Sequence, residues 1–128
     1  MMSPRPNSLA EVARRTTDAR TFEFELADFL HEFAFRGDAT MLAEPPDVLQ
    51  GRCPQGYIYD AYLAAVAVSL AARLDASSPA WTIEPARILR EPWFAIPGRH
   101  MRALLLVESP AAFRERNLFV TANALSVA

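Results

Sequence analysis

The chain has 128 residues, 52 % of them hydrophobic, a net charge of −2, and 13 basic residues that are all Arg. That length fits one domain, and so apolar a composition excludes a disordered chain. The small net charge excludes a general pull on nucleic acid or anionic membrane, although residues 1–64 carry 6 Arg against 10 acids and residues 65–128 carry 7 against 5.

Residues 1–7 hold two prolines and are expected to form a flexible tail; residues 8–128 are expected to form a single helical domain. Ser8 with Glu11 has capping-box spacing for a short helix through Ala19. The pattern Phe22, Leu26, Phe29, Leu30, Phe33 predicts a second helix over Thr21 to Arg36, stopped by Gly37. Pro45, Pro46, Gly51, Pro54 and Gly56 mark a connector with one short helical turn. Tyr57 to Leu74 is apolar nearly all round, as a central helix would be. A second proline-rich stretch follows, with a helical turn near Pro85–Arg90. Arg99 to Glu108 predicts a further helix. Ser109-Pro110 then has the form of an N-cap with proline at the first helical position, opening a last helix through Asn117 or beyond. Val120-Thr121 is locally strand-like, but one such pair makes no sheet. The expected class is therefore all-α: an irregular bundle of roughly five helices with proline-rich connectors.

Few constellations carry chemistry. His31, His100 and the isolated Cys53 fall short of the three or four ligands zinc requires, so no metal, and likewise no cofactor, is expected. The single cysteine excludes an internal disulfide and points to a reducing compartment. No signal-peptide core follows Met1, and the uncharged stretch Ala61 to Ala72 is too short to span a bilayer. The expected location is the cytoplasm, with no membrane association. Cys53, beside Arg52, reads either as an activated thiol or as a small apolar loop anchor. Glu25, Asp28 and Glu32 share one flank of the second helix, read either as paired acids or as a solvated face with no basic partner on the same helix.

Three groups are candidate partner-binding residues. Phe24, His31 and Phe35 fall together on the side of the second helix opposite its main apolar stripe. They are either sandwiched within the domain or meet a partner or symmetry mate. Trp93 and Phe94, with Trp81, either pin the proline-rich segment to the core or form a docking ridge. Arg114, Arg116 and Asn117 could meet phosphate or a partner's carboxylates, because Arg bonds either in bidentate fashion.

Pro79-Ala80-Trp81, Pro85-Ala86-Arg87, Glu91-Pro92-Trp93-Phe94, Leu104 to Pro110, Phe113 to Val120 and Asn123-Ala124-Leu125 form a longer pattern. It resembles an uncharacterised helical domain of actinobacterial proteins. In that family some members carry a helix-turn-helix in front of the domain, and some are encoded beside a minimal nucleotidyltransferase, as in toxin–antitoxin pairs. The tail Ser126-Val127-Ala128 departs from the pattern, which would place an Arg before the last Ala. No helix-turn-helix is evident here, which counts against direct contact with nucleic acid. The resemblance implies a non-enzymatic accessory protein with a protein partner, such as a nucleotidyltransferase-type toxin, or one that self-associates. A transcriptional regulator, and a small enzyme using helix carboxylates or Cys53, are the other two classes.

Overall fold

The computed structural model describes residues 4–126. Ser8 starts the first helix, α1 (Leu9–Arg15), by accepting a hydrogen bond from the Glu11 amide at 3.1 Å. This helix stops short of Ala19, because the Thr16 hydroxyl bonds back to the Val12 carbonyl and Asp18 already caps its successor. The second helix, α2 (Ala19–Arg36), begins with a reciprocal box in which Asp18 accepts from the Thr21 amide and the Thr21 hydroxyl accepts from the Asp18 amide. Gly37, at φ 56°, ends it. As the spacing predicts, Phe22, Leu26, Phe29, Leu30 and Phe33 are its buried residues.

The expected tail differs from what is observed. Met1, Met2 and Ser3 lie outside the described residues. Pro6, however, is buried, the Pro4 carbonyl accepts from Arg15 at 2.7 Å, and the Asn7 amide donates to Glu11. The segment 4–7 is docked on α1.

A single 3-10 turn, Ala39–Leu42, interrupts the first connector and buries Met41 and Leu42. The third helix, α3 (Gly56–Arg73), is the central element, with Ala61, Leu63, Ala64, Ala65, Val66 and Ala67 wholly shielded. Its small alanines let neighbours approach closely. The 3-10 turns 39–42, 80–83 and 85–87 all pack against it, as does the last helix. Gly56 touches the Leu49 carbonyl so closely that any side chain there would collide with it.

The second connector holds 3-10 turns Ala80–Ile83 and Pro85–Arg87. It then supplies a short strand, β1 (Trp93–Phe94), that pairs in parallel with β2 (Leu118–Phe119), Trp93 opposite Leu118 and Phe94 opposite Phe119. Strand character thus falls at Leu118–Phe119 rather than Val120-Thr121, and its partner lies in a segment with no strand-like pattern. Among the described residues this two-stranded ladder is the only sheet, so the class is all-α.

The fourth helix, α4 (Arg99–Glu108), has the predicted bounds. The last, α5 (Ala111–Arg114), is shorter than expected. Ser109 does not cap it: its hydroxyl shares its one proton between the Leu105 and Val120 carbonyls and accepts from the Val120 amide. Asn117, at φ 62°, turns the chain into the left-handed region soon after Arg114. Among the described residues no helix is long and apolar enough to cross a membrane.

Candidate functional site

A groove of about 460 Å³ runs between α2 and α3 and is closed on its far side by the β1 segment and the C-terminal residues Ala124 and Ser126. It exists because α2 and α3 meet through aromatic rings. Phe22 stacks on Tyr59 with centroids 4.3 Å apart, and Tyr62 meets Phe22 edge-on at 5.8 Å. Bulky rings hold the two backbones apart where alanine would have let them close.

Tyr59, Tyr62 and Trp93 line the groove with Leu26, Leu30 and Ile58, while Glu23 and His31 stand at its exposed margin. The Tyr59 hydroxyl is buried without a hydrogen-bond partner among the described residues. Burial, and behind it the Glu23 carboxylate, push the Tyr62 phenol up to about 12. The Tyr59 phenol is also pushed up, first by burial. Both therefore stay neutral hydrogen-bond donors at ordinary pH. Neither tyrosine was expected from the sequence, where both merge into the apolar run of the central helix.

The candidate partner-binding residues do not converge. Phe24 and Phe35 are 64 % and 87 % exposed, and the Trp81–Phe94 segment does not cover them. His31 shares their side but also edges the groove, its Nδ1 lying 2.9 Å from the Ala27 carbonyl. Trp93 is half-buried in the groove wall. Phe94 stacks on Phe119 at 4.9 Å and carries the Arg102 guanidinium 5.1 Å above its ring. Trp81 is a core anchor whose indole N–H donates to the Leu42 carbonyl.

Of the last trio only Arg114 is exposed. Arg116 is buried at 5 % exposure and donates to the Ala112 and Thr82 carbonyls. The Asn117 amide donates to the Leu89 carbonyl. Both side chains are spent inside the fold, because two irregular segments bring carbonyls without ladder partners within their reach. Arg116 is thus withdrawn from the surface, and Asn117 is half-buried.

A comparison with known families, curated proteins and solved structures finds no match to this chain.

The other sequence candidates separate in the same way. Burial pushes the Cys53 thiol up, outweighing the neighbouring Arg52, whose guanidinium pairs with Asp47 at 3.5 Å. A reactive thiolate needs the reverse shift. Glu25 pairs with Arg15 of α1 at 3.3 Å, and Glu32 with Arg36 at 4.0 Å, so the acidic flank does have a basic partner on its own helix. A polar pair not expected from the sequence, Asp60 and Arg87, lies buried. Asp60 accepts from the Leu49 and Gln50 amides, and Arg87 donates to the Pro46 carbonyl at 2.6 Å. Burial raises the Asp60 carboxyl against the pull of those amides and of Arg87. A lone acid in an otherwise apolar helix was the available signal.

Proposed function

We propose that the protein is a non-enzymatic interaction protein that covers part of a protein partner. The observation that carries this is α4. Of the run Leu104-Leu105-Leu106-Val107, only Leu105 is buried, and Val107 is 78 % exposed. A ten-residue helix is too short to persist on its own propensity, and the domain gives it one buried anchor. Apolar side chains left on such a helix are what a partner surface covers.

Arg99 and Arg102 on the same helix, and Arg114 on the next, are exposed. An apolar helix flanked by Arg suits a surface that carries carboxylates. The resemblance of residues 79–125 names a specific form: an antitoxin-like partner of a nucleotidyltransferase, acting by laying this surface over an acidic, metal-binding active site.

Co-expression with the product of the neighbouring gene tests the reading. The two proteins should co-purify, and Leu104→Glu with Val107→Glu should abolish the complex while leaving the melting temperature unchanged. A pair that does not associate, or a folded variant that still binds, overturns it.

A further inference from the structure

The groove between α2 and α3 has features that the α4 surface does not use. Its volume of about 460 Å³ falls in the range that encloses small organic molecules, about 300–1,000 Å³. Along α2 its lining runs from Ala19 to His31, about 18 Å of helix, so it is a long, narrow slot rather than a round cavity.

Its charge is one-sided. Among the described residues Glu23 is the only carboxylate in the lining, and no Arg contributes to it, although the chain carries 13. The Glu23 field reaches the floor, where, after burial, it helps hold both phenols neutral. Phe22, Tyr59, Tyr62 and Trp93 supply four aromatic rings to the same space. Aromatic faces attract cations through their quadrupole, most strongly where water is excluded. The Tyr59 hydroxyl adds a buried polar group without a partner among the described residues.

From the aromatic lining, the slot shape and the lone carboxylate, we infer that this groove binds an elongated hydrophobic organic cation, an alkyl- or arylalkylammonium. The apolar tail lies along Leu26 and Leu30, and the ammonium is held by Glu23 and the rings. A carboxylate-bearing ligand of the same shape would meet Glu23 unfavourably and find no Arg among the described lining residues. This site is independent of the α4 surface and stands or falls separately.

The test is titration of the intact protein with octyltrimethylammonium, 1-octanol and octanoate, read by Trp93 emission and by calorimetry. Trp81 is buried and tied to the Leu42 carbonyl, so it contributes a constant background that a Trp93→Phe variant isolates. The cation should bind saturably and roughly tenfold more tightly than either matched tail. Glu23→Gln, at an exposed position that leaves the fold intact, should erase that preference and spare octanol binding. Equal or tighter binding of octanoate overturns the inference, as does a cation affinity unchanged by Glu23→Gln. So does the absence of saturable binding by any probe, or self-association that blocks the groove.

Discussion

The Arg87 guanidinium lies 3.8 Å from Oδ1 of Asp60, and the two side chains are 1 % and 0 % exposed. Asp60 holds the turn at Leu49 and Gln50. Arg87 reaches the Pro46 and Asp60 carbonyls and lies 4.9 Å above the Trp81 ring. The pair thus ties both proline-rich connectors to the central helix. Removing one partner leaves a buried charge uncompensated, so Arg87→Ala or Asp60→Ala should each cost about 3–5 kcal/mol. Replacing both with apolar residues should cost clearly less than the sum. Urea denaturation of the two single variants and the double variant measures this; single losses below about 1 kcal/mol would mean the pair behaves as a surface bridge.

Gly56 occupies the point where α3 passes the Leu49 carbonyl, and a Cβ there would drive into that backbone oxygen. The collision cannot be relieved by moving a flexible side chain. Gly56→Ala should therefore displace the 49–53 turn, weaken the Leu49–Asp60 bond and destabilise the fold by about 1–3 kcal/mol. At a less crowded helical position the same change would raise stability. A higher melting temperature for Gly56→Ala would contradict the close approach.

Acid should act through the caps. The Thr21 amide and hydroxyl hold the Asp18 carboxyl below its ordinary 3.8, and Thr40 does the same for Asp38. A depressed carboxylate contributes stability above its unfolded pKa and loses it as pH falls through the folded value. Asp60 has the opposite sign: its carboxyl is raised by burial, so its contribution is complete below 3.8 and declines as pH rises through the folded value. Melting temperatures should fall between about pH 4 and pH 2, and Asp18→Asn, a cap that does not titrate, should flatten that fall. An unchanged profile in the variant would remove Asp18 as a cause.

Phe24 and Phe35 project from α2 into solvent. Phe24→Glu with Phe35→Glu should leave the stability within about 1 kcal/mol of the parent's and raise solubility. If the face were internal, two buried unpaired charges would unfold the chain. Circular dichroism and sedimentation of this one variant distinguish the outcomes, and an insoluble product would contradict the exposed face.

The sequence by itself determined the helices whose signals are local. The period of Phe22 to Phe33 named the buried stripe of α2, Gly37 its end, and the all-round apolarity of residues 57–74 the central position of α3, because spacing and burial are linked along a helix. It also placed α4 at its observed bounds. What only the tertiary structure decided lies where the chain is irregular. Ser109 and Asn117 read as helix-end residues, and Arg116 as a surface cation. Arg116 and Asn117 instead satisfy carbonyls of the second proline-rich connector, and Ser109 ends α4 rather than starting α5 while tying it to Val120. Trp93-Phe94 becomes a strand only because Leu118-Phe119 arrives beside it. The α2–α3 groove follows from the stacking of Phe22 on Tyr59, a contact between residues 37 positions apart. Local pattern fixes which face of a helix is apolar, whereas which polar groups meet across the core depends on chain crossings that no single segment encodes.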